Sequence, residues 1–524
     1  MMILEQKART GIALYPIFAA VIPVLLFYNT QAALEMPPDE IVNPILVMTF
    51  AGVLVYLLCS ITTRSARLGA LLATSFWTIF YSLTYCVILD GLFKVCGASV
   101  SATATAPFWL PVFWLLTLVP VVLYVLKSHA MPQVESLLDG TLLLLFLLQV
   151  AVFATNLFNY SSICNSVERL QLKQVELLNA KKSDFKPDVF YIILDQMAGR
   201  DGLKDYLQYD DDWFYASLEK RGFYTAKKSL SNYPITRLSL ASSLNMSLLD
   251  KYKSAAGPDN KNWTMMNKLA RDNNIARIFK KQGYKYVLVD SGFAASNRSN
   301  LADEILSSSF TDFFSERILR STVVELFAGA EESVMSLSRN RILNQFRFLE
   351  DMRQDSRPKF VFAHFLCPHE PYLFGAKGEP VFYPGGRCDR EWTAETKRAY
   401  LAQVEFIQKK TLSTIDRILA QNPNAIIVLQ GDHGTHCSDY VSKHSPSDKL
   451  LNERYSILNA YKVPASIQSK LTDDIEPVNS FAVILNGLFG CDVANSPTKQ
   501  IYSSYDEPFL FEEVSKRIIR RPRQ

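Results

Sequence analysis

The chain has 524 residues, a formal net charge of +4, 49% hydrophobic residues and a mean hydropathy of +0.06. Charge is spread unevenly: 13 of the first 163 residues are Asp, Glu, Lys or Arg (about 8%), against 93 of the remaining 361 (about 26%, a share typical of soluble domains). This division excludes both a wholly soluble protein and a wholly embedded one. It predicts a membrane domain over 1–163, a juxtamembrane linker helix over 164–183 and a water-exposed domain over 184–524.

Five apolar stretches occur in the first 163 residues, each close to the roughly 20 residues that a helix needs to cross the bilayer core. No small-residue cleavage site follows the first stretch, so we interpret it as a retained span and not as a signal peptide. The alternative is a set of buried core helices in a soluble protein, which rarely run this long without charge. We therefore expect a five-helix transmembrane domain with spans at 11–28, 41–61, 68–89, 107–126 and 137–158.

Basic residues flank the predicted spans asymmetrically. One side holds a single basic residue, Lys94, and the other holds five: Lys7, Arg9, Arg64, Arg67 and Lys127. Since basic residues concentrate in cytoplasmic loops, the N-terminus is predicted to lie inside the cell. An odd number of spans then places everything after about residue 160 in the periplasm or outside the cell.

From residue 184 onward, short apolar runs alternate with helical patterns. Strands separated by helices indicate an α/β domain with a central, mostly parallel sheet that is covered on both faces. No nucleic-acid motif is present, and no nucleic-acid partner is expected. The predicted strands are 189–194, 286–289, 360–365 and 425–430, and the predicted helices include 211–221, 265–282, 336–354 and 394–420.

Metal-binding side chains follow the predicted strands. Asp195 follows the first strand, and Asp432 and His433 follow the fourth. Functional sites in open α/β sheets lie beyond the carboxyl ends of the strands, so we expect these side chains to meet. A cluster of histidines beside two aspartates predicts a divalent-metal site, with Zn²⁺ or Mn²⁺ favoured and Mg²⁺ or Ca²⁺ as alternatives. Five of the six histidines belong to this part of the chain: His364, His369, His433, His436 and His444.

The polar segment 231–244 leads into a helix that is expected to begin near Thr236. A helix N-terminus offers free N–H groups and positive potential to an anionic ester. A hydroxyl beside a metal can lose its proton and attack a phosphorus or sulfur centre, which makes Thr236 a candidate nucleophile. A simple helix cap is the alternative for Thr236. Arg237 is either a phosphate contact or an outward-facing side chain.

Several segments resemble, in order, the membrane-bound sulfatase-like hydrolase/transferase family of the alkaline phosphatase superfamily. That family includes phosphoethanolamine transferases and lipoteichoic acid synthases, and the resemblance covers residues 184 to about 490. It implies an enzyme in the bacterial plasma (inner) membrane, multi-pass, with its catalytic domain over 184–524. The segments are PDVFYIILDQMAGRDGL, GFYTAKKSLSNYPITRLSLASSLNMSLLD, FVFAHFLCPHEPYLF, IIVLQGDHGTH and ERYSILNAYKVP.

The resemblance also implies roles for individual residues. Asp195 matches an acidic metal ligand, Thr236 the nucleophile that also contacts the metal, and Asp432 with His433 the metal-binding pair. Gln196 stands where many sulfatases have a second aspartate, which indicates one metal ion. Candidate substrate-binding residues are His369, His364, Arg237 and a further family histidine, which is His444 or alternatively His436.

The segment around Thr236 lacks the C/S-x-P-x-R signature that sulfatase maturation requires. This departure favours a phosphothreonine intermediate over sulfate-ester hydrolysis. We therefore expect a metal-dependent transferase that moves phosphoethanolamine or phosphoglycerol from a phospholipid donor to an envelope glycan or lipid acceptor. The alternatives are a sulfatase-like phosphodiesterase or sulfatase that uses water, and a non-catalytic envelope-assembly protein.

Eight cysteines are too few for a disulfide scaffold in a chain of this length. In an oxidising compartment, one disulfide among Cys367, Cys388 and Cys437 is plausible, although spacing does not determine the pairing. A cysteine metal ligand is a weaker alternative.

Overall fold

The computed structural model describes residues 13–95, 109–127, 131–176, 180–181, 183–252, 261–308, 313–326, 330–383, 391–438, 445–505 and 507–519. The described residues form two compact units. One unit comprises residues from 1–162 and 311–331, and the other comprises residues from 163–310 and 332–524.

The first unit consists of apolar helices. Three of the described helices are long and apolar enough to cross a membrane: Tyr15–Ala32, Pro38–Thr63 and Met131–Glu176. A fourth candidate is the pair Ala66–Phe80 and Ser82–Asp90, which is bent by 56°. The individual helices of this part are Tyr15–Phe27, a π-helical turn Tyr28–Ala32, the 3₁₀ helix Pro38–Ile41, Val42–Thr63, Ala66–Phe80, Ser82–Val95, Trp109–Lys127 and Met131–Glu176.

The predicted count of five spans is not confirmed by the described part of the chain. Residues 109–126 of the stretch predicted at 107–126 lie in the helix Trp109–Lys127. Only Val112–Tyr124 qualifies there as an apolar helix, and it is shorter than a span. One continuous helix, Met131–Glu176, covers both the last predicted span and much of the predicted linker. N-terminal apolar helices are therefore confirmed, and the number that cross a bilayer is not.

A segment distant in sequence completes the first unit. The ring of Phe314, in the helix Phe313–Arg320, packs against Phe27 and Tyr28 with centroids 6.0 and 5.8 Å apart. Arg317 pairs with Glu35, with Nη1 3.1 Å from Oε2. These residues lie far beyond the apolar first 163, and no pattern in the sequence indicated that they pack with the apolar helices.

The second unit is built on a seven-stranded sheet and two further strand pairs. The sheet strands are β1 Val189–Leu194, β2 Tyr224–Thr225, β3 Lys285–Val289, β4 Glu304–Leu306, β5 Lys359–Phe365, β8 Ile426–Gly431 and β9 Asn459–Lys462, and the pairs are β6 Tyr372–Phe374 with β7 Pro380–Tyr383 and β10 Ile501–Tyr502 with β11 Glu512–Glu513. The strand order in the sheet is β2-β9-β8-β1-β5-β3-β4. β1 pairs in parallel with both β5 and β8, β3 pairs in parallel with β5 and β4, and β9 runs antiparallel between β8 and β2. The mostly parallel sheet is thus confirmed.

Every side chain of the three central strands β1, β5 and β8 is buried, which explains why each reads as a largely apolar run. Alternate residues face two separate cores: Phe190, Ile192 and Leu194 enter one, and Tyr191 and Ile193 enter the other. Helices cover both faces, as predicted. They are Arg200–Leu207, Asp212–Lys220, Thr236–Ser243, Thr264–Arg271, Asn274–Lys281, Ala330–Glu350, Ala394–Gln421, Asp448–Tyr455, Ala465–Gln468 and Pro477–Phe489.

One predicted helix is two. The pattern at 265–282 predicts a single helix, whereas the structure has Thr264–Arg271 and Asn274–Lys281. The side chain of Asn273 accepts a hydrogen bond from Ala276 N at 2.8 Å and so caps the second helix. Asn is favoured at such caps because its side chain satisfies an N–H group that has no partner within the helix.

The buried carboxyl group of Asp211 is expected to make folding stability depend on pH. Burial raises its pKa from the ordinary value of 3.8 to about 7, although Gln408 Nε2 donates to its Oδ2 at 2.8 Å. Between these values the folded chain holds a proton that the unfolded chain releases, so raising the pH favours unfolding. We expect Asp211 to contribute a fall of about 5 °C in the thermal midpoint of this unit between pH 5 and 8, and Asp211→Asn to remove that contribution. Thermal scans of both proteins across this range measure it; an unchanged slope in the variant contradicts the assignment.

Candidate functional site

Two neighbouring parallel strands deliver acidic side chains to one edge of the sheet. Leu194 at the end of β1 is in register with Gly431 at the end of β8, so the next residues, Asp195 and Asp432, emerge side by side. The backbone N–H groups of Gln196 and His433 both donate to Asp432 Oδ1 at 2.9 Å. The predicted meeting of these strand ends is therefore observed.

Asp195, Asp432 and His433 form a buried group whose ligand atoms all lie within 4.8 Å of one another. His433 Nε2 is 3.2 Å from Asp432 Oδ2 and 3.7 Å from Asp195 Oδ1. Neither Asp195 Oδ1 nor Asp432 Oδ2 has a hydrogen-bond partner within the described residues. Buried carboxylate oxygens without partners are costly, and a divalent cation bound between them would satisfy both. The donor set fits a metal ion.

The tautomer of His433 suits the same role. Its Nδ1 donates to the carbonyl oxygen of Gly434 at 3.1 Å, which leaves a lone pair on Nε2. Burial and the nearby charge of Arg454 hold the pKa of His433 well below its ordinary value, so the ring is neutral. A neutral imidazole fixed through its other nitrogen is the form that binds metals.

The two carboxyl groups do not ionise alike. Burial alone would raise the pKa of Asp195. The neighbouring His369, His364 and His433 lower this pKa by more than burial raises it, so it lies well below the ordinary value. Burial and the charge of Asp195 raise the pKa of Asp432 to about 6. Because Asp195 is ionised, a negative charge on the adjacent Asp432 is unfavourable unless a cation lies beside both carboxylates.

Thr236 is the first residue of the helix Thr236–Ser243, and its Oγ1 lies 3.0 Å from His433 Nε2. The cap position belongs to Ile235, whose side chain makes no capping hydrogen bond, so the hydroxyl of Thr236 is not an N-cap. One turn later, Ser239 Oγ donates to the carbonyl oxygen of Asp432 at 2.7 Å. The helix is therefore held against the loop that carries Asp432 and His433.

Glu453 and Arg454, which sequence reasoning did not single out, hold the loop after β8. Arg454 is buried and donates through Nε to Pro234 O at 2.7 Å and through Nη1 to Gly434 O at 2.9 Å, with Nη2 3.0 Å from His433 Nε2. The carboxylate of Glu453 is fully buried. It accepts hydrogen bonds from Thr435 Oγ1, Cys437 N, Ser438 N and Ser438 Oγ.

Three other predicted histidines lie in the described part of the chain: His364 and His436 are buried, and His369 borders a cavity. His364 is buried on β5, with Nδ1 2.8 Å from Ser296 Oγ and Nε2 3.4 Å from Asp195 Oδ2. His436 is buried, and Gln196 Nε2 donates to its Nδ1 at 2.9 Å. Gln196 therefore orients a histidine in this structure.

His369 borders a cavity. Its backbone N–H donates to Asp195 O at 3.1 Å, and its Nδ1 donates to Glu370 O at 2.7 Å. Burial lowers the pKa of His369, but the charges of Glu370 and Asp195 outweigh that effect and raise it to about 9. At neutral pH the ring is therefore cationic at the edge of the site.

A cavity of 320 Å³ opens beside Thr236 and Asp195. Arg237, the other predicted contact, lines it: its guanidinium carbon lies 5.1 Å from the ring centroid of Trp263 and 5.0 Å from that of Phe293. Arg237 therefore faces inward, and the outward-facing alternative is wrong. The remaining lining residues are Ile235, Ser291, Phe293, Ser338, Arg341, Ile342, Leu366, His369, Glu370, Pro371, Leu373 and Tyr505.

Two sequence expectations have other outcomes. His444 and Cys388 lie outside the described residues, so neither the role of His444 nor a disulfide to Cys388 is tested. Cys367 and Cys437 are buried free thiols, so they do not pair with each other.

The loop after β3, with Ser291, Phe293 and Ser296, was missed. Its signal is the same as for Asp195, namely polar residues directly after a buried strand.

The chain is similar to a known protein family and to several solved structures. A family model described as Sulfatase matches residues 187–464. No curated protein matches the chain.

Three solved structures illustrate the similarity. The periplasmic domain of EptC from Escherichia coli, in complex with Zn, is 15% identical, covers 64% of this chain and 95% of that chain, and has a TM-score of 0.42. The integral membrane lipooligosaccharide phosphoethanolamine transferase EptA from Neisseria meningitidis is 11% identical over 90% of this chain and 96% of that chain, with a TM-score of 0.38. The phosphonate monoester hydrolase from Silicibacter pomeroyi is 14% identical over 59% and 74%, with a TM-score of 0.39.

These structural likenesses are too low to support an argument about activity. The family model, in contrast, spans more than half of the chain and includes β1, the helix of Thr236, β5 and β8 with its Asp-His pair. On that match, the chain belongs to the sulfatase family.

Proposed function

We propose that this protein is a metal-dependent transferase that moves a phospho-alcohol group, phosphoethanolamine or phosphoglycerol, from a phospholipid to an envelope glycan or lipid. One observation carries the proposal: the Thr236 hydroxyl lies 3.0 Å from His433 Nε2, inside the buried group of Asp195, Asp432 and His433. A hydroxyl at such a position is placed to become a nucleophile.

Asp195, Asp432, His433 and Thr236 would hold one divalent ion, with Zn²⁺ or Mn²⁺ favoured by the mixed oxygen and nitrogen donors. When bound, the ion would supply positive charge that favours the alkoxide form of Thr236 and offsets charge on the phosphoryl oxygens. The neutral His433 and the low pKa of Asp195 keep both ready to act as ligands.

In the first step Thr236 Oγ1 releases its proton to solvent and forms a bond to the donor phosphorus, and the bond from phosphorus to the diacylglycerol oxygen breaks. The leaving oxygen takes a proton, which cationic His369 at the cavity edge is placed to donate. In the second step an acceptor hydroxyl attacks the same phosphorus and passes its proton to His369, while the bond from phosphorus to Thr236 Oγ1 breaks and that oxygen takes a proton from solvent. Arg237 and Arg454 would balance the negative charge on the phosphoryl oxygens.

The surroundings of the site support a membrane-derived donor. Apolar helices that are long enough to cross a bilayer lie in the same chain. Five spans in a bacterial plasma membrane, with 164–183 as a linker and 184–524 as a periplasmic or extracellular catalytic domain, complete the proposal. The threonine at position 236, without the C/S-x-P-x-R signature, supports phosphoryl transfer over sulfate-ester hydrolysis.

The test is incubation of the purified full chain with phosphatidylethanolamine or phosphatidylglycerol labelled in the head group, with and without envelope glycan extract. Transfer of label to glycan or lipid acceptors supports the proposal. Release of free labelled head group at the same rate in both samples would instead identify a hydrolase. No turnover in a protein shown to contain metal would identify a non-catalytic role.

Glu453→Gln is expected to weaken metal affinity by about 10-fold, because groups that orient a ligand loop typically contribute 10- to 100-fold. The amide cannot accept all four hydrogen bonds from the loop 435–438, so the neighbouring His433 loses its fixed position. Competition with a fluorescent zinc chelator measures the change. Glu405→Gln, which removes an exposed carboxylate paired with Lys409, is the control and should leave the affinity unchanged. Equal affinities in the two variants contradict the role of Glu453.

A further inference from the structure

The two carboxylate oxygens of Asp195 face different histidines. Oδ1 lies 3.7 Å from Nε2 of His433, which belongs to the candidate metal group, whereas Oδ2 lies 3.4 Å from His364 Nε2. Within the described residues, His364 is fully buried, and it neither belongs to the metal group nor lines the cavity beside Thr236. Its ring therefore meets the site through Asp195 and not through a surface that a substrate contacts.

Backbone contacts fix His364 and Asp195 relative to each other. His364 is in register with Ile193 of β1, two residues before Asp195. Asp195 N donates to Phe365 O at 2.9 Å, which extends the pairing of β1 with β5 past the end of β1. Gln345 Nε2 donates to His364 O at 2.9 Å. With both backbones fixed, the orientation and the tautomer of the imidazole ring decide what Asp195 Oδ2 meets.

Two serines of the loop after β3 contact the other side of this ring. Ser296 Oγ lies 2.8 Å from His364 Nδ1, and Ser291 Oγ lies 2.7 Å from Ser296 Oγ. The backbone N–H of Phe293 donates to Ser291 Oγ at 3.0 Å. Both serines are buried, as is His364. These contacts form one chain of hydrogen bonds, which begins at a backbone N–H group and ends at the ring that faces Asp195.

The chemistry of the two ends gives this chain a direction. A backbone N–H group can only donate, and a carboxylate can only accept. Ser291 Oγ accepts from Phe293, so its own hydrogen is available to Ser296. The hydroxyl of Ser296 then donates to His364 Nδ1, and the ring hydrogen lies on Nε2, where it faces Asp195 Oδ2. The other tautomer would place the lone pair of Nε2 against the carboxylate.

We propose that His364 is a positioning residue, which Ser291 and Ser296 orient so that it holds Asp195 Oδ2 and leaves Oδ1 for the divalent ion. This inference rests on the proposed function, in which Asp195 is a metal ligand. It replaces the expectation that His364 contacts the substrate. Partners that orient a metal ligand typically contribute about 10- to 100-fold to metal affinity.

The affinity of the full chain for Zn²⁺, measured by competition with a fluorescent chelator, tests the proposal. His364→Phe keeps a ring without either nitrogen and should weaken Zn²⁺ binding by at least about 10-fold. His364→Gln, whose amide still donates to Asp195, should lose no more than about 3-fold. Ser296→Ala should lose about 3- to 10-fold, because Nδ1 then lacks the donor that selects the tautomer. Thermal midpoints in excess chelator establish that each variant is folded.

Ser299→Ala is the matched control. Ser299 is a buried serine of the same loop, but its Oγ donates to Asp272 Oδ1 at 2.9 Å. This variant should bind Zn²⁺ within about 2-fold of the wild type. Unchanged affinity in His364→Phe would overturn the proposal. A loss in Ser299→Ala as large as that in Ser296→Ala would overturn it as well, since the loop as a whole would then be responsible.

Asp195→Asn shows whether His364 acts through Asp195. On that background His364→Phe should weaken Zn²⁺ binding by less than about 2-fold, because the carboxylate that it positions is gone. A loss as large as in the wild-type background would overturn the proposal, since His364 would then act on the ion by another route.

This inference and the proposed function fail in different ways. A wild-type chain that binds Zn²⁺ but transfers no head group contradicts the transferase, while the affinities of the variants still decide the role of His364. Head-group transfer by the wild type, with unchanged Zn²⁺ affinity in His364→Phe, contradicts the positioning role alone. A wild-type chain that binds neither Zn²⁺ nor Mn²⁺ overturns both, because Asp195 would then not be a ligand.

Discussion

Thr236→Ala is expected to lower transfer of the labelled head group by at least about 1000-fold, a larger loss than its effect on metal affinity, because three of the four proposed ligands remain. The variant lacks the only atom that we assign as the nucleophile, whereas Asp195, Asp432 and His433 remain in place. Loss of a nucleophile in a covalent mechanism removes the intermediate itself, so little residual rate is expected. Transfer assays on the variant and the wild type, each with its metal content measured, provide the comparison.

Thr236→Ser is the informative companion, because it keeps the hydroxyl and removes one methyl group. It should retain a substantial share of activity, on the order of a tenth or more. Ser239→Ala, which removes a hydroxyl that donates to Asp432 O, controls for disturbance of the same helix. Full activity in Thr236→Ala would exclude Thr236 as the nucleophile.

Asp432→Asn is expected to have the second largest effect, a loss of metal affinity of at least about 100-fold. The effect of this substitution on folding stability is expected to be opposite with and without bound metal. Without metal the substitution should stabilise the fold at pH 8, because it removes a buried carboxylate whose pKa is raised by burial and by Asp195. With metal present the variant should be less stable than the wild type, since a bound ion stabilises only the folded chain that holds it.

Thermal midpoints in excess chelator and in excess Zn²⁺ or Mn²⁺, at pH 8, measure this reversal. Asp448→Asn serves as the control, because Asp448 is an exposed partner of Arg517 and should show neither effect. A variant that gains the same stabilisation from metal as the wild type would show that Asp432 is not a ligand.

The central strands and the acidic side chains that follow them could be predicted from the sequence. β1 and β8 are buried on both faces, so both runs are largely apolar, and the carboxylates directly after them, Asp195 and Asp432, mark the carboxyl ends. Parallel pairing then brings Asp195 and Asp432 together whatever the connections between the strands. The nucleophile position followed from the resemblance around Thr236 more than from its local pattern.

Other parts of the site depend on contacts that have no local signal. Arg454 and Glu453 lie on a short polar helix, Asp448–Tyr455, which reads as an exposed surface element although both side chains are buried. Arg341 lies on the helix Ala330–Glu350, and only the tertiary structure shows that it borders the cavity. The packing of Phe314 on the apolar helices likewise depends on tertiary structure alone.

The most direct test of the account is the mass of the wild-type full chain after incubation with phosphatidylethanolamine and no acceptor. We expect an added phosphoethanolamine group, mapped by peptide fragmentation to Thr236 and discharged when acceptor is supplied. The same treatment of Thr236→Ala should leave the mass unchanged. Head-group transfer by a wild-type chain that never carries the adduct, or an adduct mapped to another residue, would contradict the account.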